Sequence, residues 1–325
     1  MPLVAHSRLP VFDVLRTRGA DVRSESDPSL PSLRIGLFNL MPDAVLQTTE
    51  RQFMQRVAGY ADANVWVFPF TEAADSRDRL AREHIAQHYH LFRRLMQDKL
   101  DAVIITGANP RTAHITGEEF WEPMVAVIRQ VRAAESFLFC SCLATHAFMK
   151  SEFAQERVPL PRKRWGVFSH EVAVPSHPLL KDITAPCFGP HSHLFETPIE
   201  QLEEQHIRVL IDSDAAGFYL AASDDCRLVF AQGHPEYDPA SLLKEFKREV
   251  NRFMAGERED FPPSPEGYFN PTGEALAQKL RTAMTSGEPV EFPEEALLAT
   301  VHDTWSEPGA QLFENWLGLI LSQSR

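Results

Sequence analysis

The sequence is poor in cysteine. Its 325 residues include four, Cys140, Cys142, Cys187 and Cys226, too few for a disulfide scaffold in a chain of this size. A reducing compartment suits such a composition, and we expect the protein in the cytoplasm. No unbroken apolar segment opens the chain, and no run approaches the roughly 18 apolar residues that a membrane span needs. We therefore expect no membrane partner.

Basic residues are also scarce relative to acidic ones. The chain has 32 Lys and Arg against 45 Asp and Glu, which gives a formal net charge of −13. Such a charge repels phosphate backbones and anionic membrane surfaces, so nucleic acid is not an expected partner. The 44% hydrophobic content is that of a globular protein. The length allows one large α/β domain or two smaller domains that share a cleft.

A metal site is not indicated either. Zinc sites usually combine one pair of closely spaced cysteines with a second pair of ligands. The single Cys-x-Cys unit at 140–142 has no such mate, although the chain has 13 histidines. We expect no metal and no bound cofactor.

Strand and helix patterns alternate through the first half of the chain, as they do in βαβ units. The strand-like segments are near-continuous apolar runs, which are typical of a parallel sheet covered by helices on both faces. The predicted strands are 33–40, 64–70, 101–107 and 136–141, and the helical patterns between them are 45–59, 80–98 and 118–134.

The second half of the chain is less regular. Residues 150–205 are rich in Pro and His and predict an irregular inserted lobe, after which short strands lead to a helical pattern at 240–254. We predict a single domain over 1–325 with a doubly wound, mostly parallel sheet. In this division 1–32 is an N-terminal extension, 33–255 the α/β core, and 256–325 a C-terminal loop followed by a docked helix around Trp316.

Cys142 falls where a predicted strand gives way to a helix. Ligands bind at the carboxyl ends of strands in open α/β sheets, and a helix N-terminus lowers the pKa of a thiol. Small neighbours, Ser141 and Ala144, allow a tight nucleophile elbow, although the usual flanking glycines are absent. From this context alone Cys142 is either a nucleophile or a buried structural cysteine. Cys140, inside the strand, fits the structural role.

His234 and Glu236 belong to the stretch "QGHPEYD", which also follows a strand-like run. Two residues apart on extended backbone, their side chains point to the same side, so the carboxylate can orient the imidazole. Together with Cys142 they supply a nucleophile, a base and an orienting acid. The alternative is a turn with a solvated histidine.

Short motifs recur in a characteristic order along nearly the whole chain: "LPVFDVL", "IGLFNLMP", "VIITGAN", "SCLATHA", "KRWGVFSH", "GPHSH", "GHPEYD" with "EFKREV", and "NWLGLI". Together they resemble the homoserine O-acyltransferase (homoserine O-succinyltransferase) family of methionine biosynthesis. The resemblance implies a class I glutamine-amidotransferase-like (flavodoxin-like) fold and an acyl-CoA-dependent transfer to homoserine, the first committed step of that pathway. It implies Cys142 as the thioester nucleophile, His234 as the base and Glu236 as its partner.

The same resemblance implies residues for the substrate. Lys163, Ser192 and Arg248 match the positions that bind homoserine, and the Arg248 guanidinium suits an amino-acid carboxylate. Lys163 and Arg248 otherwise read as solvated surface charges, and Ser192 as a turn residue. Relatives form homodimers, so a homodimer is expected here.

The implied acyl transfer also needs an oxyanion hole. We expect the backbone N–H of Leu143 to supply one donor and the loop at Gly107 or Ala108 to supply the other.

The prediction of the acyl donor rests on Arg111. Relatives commonly have Gly or Glu at this position, and an arginine could pair with the terminal carboxylate of a succinyl group. Succinyl-CoA is therefore the expected donor, unless Arg111 faces solvent or binds a CoA phosphate. The alternatives are an acetyl-CoA-dependent enzyme, serine as acceptor, a glutaminase-type amidotransferase, and a non-catalytic regulator on the same fold.

Overall fold

The computed structural model describes residues 3–72, 77–112 and 114–323. In these residues eleven strands form one sheet in the order β2-β1-β4-β3-β5-β6-β11-β10-β9-β7-β8. The strands are β1 (Leu3–Val4), β2 (Val22–Arg23), β3 (Ser32–Phe38), β4 (Asn64–Phe70), β5 (Ala102–Ile105), β6 (Phe137–Ser141), β7 (Val158–Val172), β8 (Cys187–Glu196), β9 (Ile207–Ser213), β10 (Gly217–Ser223) and β11 (Leu228–Ala231).

Helices connect and cover these strands. They are α1 (Val11–Thr17), α2 (Leu46–Val57), α3 (Arg79–His88), α4 (Phe92–Gln97), α5 (Trp121–Ala133), α6 (Leu143–Phe153), α7 (Ile199–Glu203), α8 (Ser241–Met254), α9 (Pro271–Thr285), α10 (Glu294–Leu298) and α11 (Ser306–Gln323). No helix in the described ranges is long and apolar enough to cross a membrane.

The parallel part of the sheet lies where the apolar runs predicted it. β3, β4, β5, β6 and β11 pair in parallel, whereas β11, β10, β9, β7 and β8 continue the sheet through antiparallel pairs. Because helices cover both faces, almost every side chain of the central strands is buried, and their sequences contain little alternation. The predicted mostly parallel α/β fold is confirmed.

Two apolar cores lie on opposite faces of the sheet. On one face α1, α2 and α11 pack, and Phe53, Phe313 and Trp316 lie in that core. On the other face α5 and α6 pack, with Ile128 and Phe148 among their buried residues. A third cluster, in which Trp165 of β7 meets α8, α9 and α10, lies beside the antiparallel end of the sheet.

The segment predicted as an irregular lobe is corrected by the structure. Within 150–205, β7 and β8 form a long antiparallel pair whose register shifts between Pro159 and Arg164. Several side chains on both faces of β7 are exposed, and prolines interrupt its pattern. The apolar alternation that identifies a strand is therefore missing from its sequence. β8 is the edge strand, and β7 pairs with its other neighbour, β9, only at Glu171 and Val172. Strands at or near an edge tolerate proline and charged residues.

Candidate active site

Three parallel strands end side by side at the candidate site. β5, β6 and β11 are neighbours in register, with Ile105 opposite Cys140 and Ser141 opposite Ala231. The segments that follow these strands therefore emerge together at one edge of the sheet. This is the edge at which open α/β sheets bind ligands.

Cys142 forms a sharp turn between β6 and α6. Its backbone has φ 49° and ψ −106°, in the left-handed half of conformational space that costs free energy for a residue with a Cβ. The strain is held by the surrounding structure, since the Cys142 N–H donates to the Ala231 carbonyl over 2.6 Å. The thiol lies at the start of a helix that no side chain caps, and the residue is 9% exposed.

His234 and Glu236 meet as the sequence predicted. The His234 Nδ1 lies 2.8 Å from Glu236 Oε1, and the imidazole stacks on Tyr237 with the ring centroids 4.2 Å apart. The backbone N–H of His234 donates to the Pro190 carbonyl, which fixes the turn. The other ring nitrogen, Nε2, is buried without a hydrogen-bond partner among the described residues. It is therefore available to a thiol or a substrate.

The charges around His234 favour its protonated form. Burial alone would lower its pKa, but the Glu236 carboxylate and the Cys142 side chain outweigh burial and raise the pKa of His234 to about 10. An imidazolium beside a sulfur stabilises the thiolate. The arrangement therefore places an imidazole that favours its cationic form beside the Cys142 side chain.

The loop that carries His234 is anchored by side chains from α2 and from the residue before α11. Arg56 of α2 donates to the Tyr237 carbonyl over 2.9 Å, and the indole N–H of Trp305 donates to the same oxygen over 3.0 Å. The Ser141 hydroxyl lies 3.5 Å from Glu236 Oε1. Through these contacts, side chains from several packed elements fix the positions of His234 and Glu236.

The predicted oxyanion-hole residues lie around the thiol. Leu143 begins α6, so its N–H belongs to the first turn of the helix. Gly107 follows β5, and a Cβ built on it would lie 3.8 Å from the Cys142 Cβ. Ala108 is the next residue and is partly buried. The structure therefore brings both proposed sources of N–H donors to the edge that holds Cys142.

Lys163 and Ser192 are brought together by a carboxylate that the sequence analysis missed. Glu245 of α8 accepts a hydrogen bond from Lys163 Nζ over 3.0 Å and one from the Ser192 hydroxyl over 2.6 Å. Its other oxygen accepts from the Tyr237 hydroxyl over 2.9 Å. Burial alone would raise the pKa of Glu245, but Lys163 and these hydrogen bonds lower it. Through Tyr237 the cluster contacts His234.

Arg248 is placed differently from Lys163 and Ser192. It lies three residues after Glu245 on α8, and its side chain is half exposed with the Nε 3.3 Å from Glu249. It lines a surface pocket of about 520 Å³ together with other basic residues of the helix. The structure shows no contact of Arg248 with the triad within the described residues.

Arg111 lies in the loop after β5, and its side chain is exposed. The loop is held by Glu118, which accepts from the backbone N–H groups of Arg111 and Thr112 over 2.7 Å each. A second guanidinium borders the same loop. Arg157 is buried, donates to the Thr112 carbonyl over 3.1 Å and stacks on Phe195 at 3.8 Å.

Cys140, two residues before Cys142, occupies a position that makes its thiol unreactive. Cys140 lies inside β6, and burial raises the pKa of its thiol well above the usual range. All four cysteines are free. In the parts of the chain that the structure describes, no group of three His, Cys, Asp or Glu side chains is arranged to hold a metal ion.

Three residues of the site had no clear sequence signal. Tyr237 and Glu245 join the base to the β7–β8 pair, and Gln232 lies against the thiol. Glu245 lies one helical turn before Arg248, within the same motif that drew attention to that arginine. Its approach to Lys163 depends on how β7 packs against α8, which spacing does not reveal. Gln232 is two residues before His234, so its side chain shares the same side of the backbone.

Solved structures similar to this one are glutamine amidotransferases. A glutamine amidotransferase from Thermotoga maritima has a TM-score of 0.50 and 10% sequence identity, covering 89% of this chain and 98% of that one. Another from Methylobacillus flagellatus has a TM-score of 0.50 and 14% identity, covering 90% and 96%. At such low identity the likeness shows the fold alone, and it is the predicted class I glutamine-amidotransferase-like fold.

Sequence comparison is more specific. The family model "HTS: Homoserine O-succinyltransferase" matches residues 2–325. A homoserine O-succinyltransferase from Methylococcus capsulatus is 44% identical over 330 residues, covering 98% of this chain and 93% of its own. One from Thiothrix nivea is 42% identical over 330 residues, covering 98% and 92%. The chain therefore belongs to the homoserine O-succinyltransferase family of acyltransferases.

Proposed function

We propose that this enzyme moves the succinyl group of succinyl-CoA to the hydroxyl of L-homoserine through a thioester on Cys142. The observation that carries the proposal is the strained Cys142 turn at the edge that also holds the His234–Glu236 pair. Family membership supports the substrates, and the methionine pathway follows from them. The geometry supports the mechanism.

In the first half-reaction the Cys142 thiolate attacks the thioester carbonyl of the donor. The carbonyl oxygen becomes an oxyanion that N–H groups of Leu143 and of Gly107 or Ala108 can hold. The carbon–sulfur bond to CoA then breaks, and the CoA thiolate takes the proton from the His234 imidazolium. One thioester replaces another, so the step is close to isoenergetic.

In the second half-reaction neutral His234 is the base. Its Nε2 accepts the hydroxyl proton of homoserine while the oxygen attacks the enzyme thioester, and the bond from carbon to Cys142 breaks. The proton stays on His234 beside the regenerated thiolate, which restores the starting state. Glu236 accepts a hydrogen bond from Nδ1 throughout and stabilises the imidazolium.

For the acceptor we propose Lys163, Ser192 and Arg248 as the homoserine-binding residues. Glu245 supports this proposal because it accepts hydrogen bonds from both Lys163 and Ser192. It also accepts one from Tyr237, whose ring stacks on His234. Arg248 is on the same helix, one turn beyond Glu245. Among the described residues its half-exposed guanidinium pairs with Glu249, a contact that it would release to pair with an amino-acid carboxylate.

For the donor we propose Arg111 as the partner of the succinyl carboxylate, with Arg157 as a second contributor. Both guanidinium groups border the loop after β5. Arg157 is the more strongly desolvated of the two, and a desolvated cation distinguishes a carboxylate from a methyl group more sharply.

We also propose that the enzyme is a homodimer that acts in the cytoplasm. Four free cysteines suit a reducing compartment. Acidic enzymes of this size are often dimers, and the net charge of −13 argues against nucleic-acid partners.

The thioester can be tested directly. Incubation with succinyl-CoA and no acceptor should leave one succinyl group on Cys142, detected by mass spectrometry of the digested protein. Cys142→Ser should lack the adduct, and Cys140→Ser should keep it because that thiol is buried within β6. A succinyl group on Cys140 would show that the nucleophile is misassigned. Hydrolysis of glutamine without consumption of acyl-CoA would instead support an amidotransferase.

The role of Arg248 can be separated from that of the donor site. Arg248→Ala should raise the KM for homoserine by roughly ten- to a hundredfold, because a charged hydrogen bond to the carboxylate is lost. Acylation by succinyl-CoA, measured in a single turnover, should change little. Arg252→Ala is a matched control, since Arg252 also pairs with Glu249 and is equally exposed. Equal losses in both half-reactions of Arg248→Ala would indicate a structural role.

Donor choice is measured as the ratio of kcat/KM for succinyl-CoA to that for acetyl-CoA. The ratio should exceed one in the wild type and fall by roughly ten- to a hundredfold in Arg111→Ala, as expected for loss of a charged hydrogen bond. Arg157→Met should lower the same ratio. Equal losses for both donors would assign these arginines to CoA binding or to folding. A wild type that prefers acetyl-CoA contradicts the donor proposal.

A further inference from the structure

Gln232 lies against the proposed nucleophile. It is the residue directly after β11, its backbone N–H donates to the Tyr219 carbonyl over 3.0 Å, and it is 1% exposed. Its side-chain Nε2 lies 3.8 Å from the Cys142 Sγ, within hydrogen-bond range for sulfur. The backbone that fixes His234 therefore also fixes an amide beside the thiol.

The orientation of this amide fits a negatively charged sulfur. An amide nitrogen is a donor only, whereas a protonated thiol would be better served by the amide oxygen accepting its S–H. With the nitrogen facing Sγ, the sulfur is the acceptor, and a thiolate is the stronger acceptor.

The amide oxygen of Gln232 indicates that packing alone does not explain why a glutamine occupies this position. Gln232 Oε1 is buried and has no hydrogen-bond partner in the described residues. An unsatisfied buried carbonyl is unfavourable, and an apolar side chain of similar length, such as methionine, would avoid it. A residue that only filled space would therefore not need an amide here.

We propose that Gln232 is a further catalytic residue, which donates a hydrogen bond to Cys142 whenever that sulfur carries negative charge. The inference deepens the proposed function, because it assigns a second donor to the same thiolate. It acts before acylation, when the thiolate is the nucleophile. It acts again in transfer to the acceptor, when the electron pair of the breaking carbon–sulfur bond returns to Sγ. The amide keeps its proton in both steps.

The experiment measures the thiolate without any acyl-CoA. The rate of Cys142 alkylation by iodoacetamide is followed against pH, and mass spectrometry confirms that Cys142 is the residue modified. In Gln232→Met the midpoint of the profile should rise by about one pH unit, the loss expected for a hydrogen bond to a charged group. In Gln232→Glu, which keeps the shape but places a carboxylate at the sulfur, the rise should be larger.

Gln155→Met is the matched control. Gln155 also has a buried Oε1 without a partner among the described residues, but its amide donates to Glu204 rather than to Cys142. Its alkylation profile should match the wild type. A single-turnover measurement on enzyme already acylated should also show slower transfer to homoserine in Gln232→Met than in Gln155→Met.

The possible results are distinguishable. Unchanged profiles in both Gln232 variants overturn the inference, and so does loss of native near-UV circular dichroism in both, which would assign the amide to folding. If only Gln232→Glu unfolds, Gln232→Met decides. A shifted midpoint in a protein that does not transfer succinyl groups would refute the proposed function and leave the role of Gln232 intact.

Discussion

The parallel pairing of β6 with β11 determines where the groups of the candidate site lie. Ser141 and Ala231 are opposite each other, and the Cys142 N–H continues the ladder by donating to Ala231. Because β6 and β11 end at the same level of the sheet, Cys142 and the segment 232–236 are adjacent. No long loop has to be ordered to bring them together. A shift of one residue in this register would move Cys142 away from the Ala231 carbonyl and from the segment that carries His234.

The polar groups of the candidate site interact in a buried environment. Cys142, His234 and Glu236 are each less than a tenth exposed, so their charges are poorly screened and strongly coupled. Burial alone would favour a neutral imidazole, and the Glu236 carboxylate and the Cys142 side chain reverse that balance by raising the pKa of His234. Hydrogen bonds from Arg56 and Trp305 to the Tyr237 carbonyl hold the segment that carries His234 and Glu236.

Much of the fold could be predicted because buried parallel strands are long apolar runs in the sequence. The proximity of Cys142 to the segment that carries His234 and Glu236 could be predicted because both come after such runs, β6 and β11. The β7–β8 pair was missed because prolines and charged residues interrupt the apolar pattern of β7. Glu245 was missed because its partners come from three different elements. Spacing also could not show that Arg248 and Arg111 have exposed side chains, since that depends on helix packing and loop conformation.

The proposed mechanism needs a cationic His234 beside Cys142 before acylation, and the Glu236 carboxylate and the Cys142 side chain favour that form. The protonation of His234 can be measured by following the ¹⁵N resonances of the histidine rings from about pH 5 to 10. His234 should stay protonated through neutral pH and lose its proton only near the raised pKa of about 10. His146 is an internal control, because burial and the nearby Arg157 lower its pKa to about 3 and it should stay neutral. A neutral His234 at pH 7 in the wild type would contradict the account.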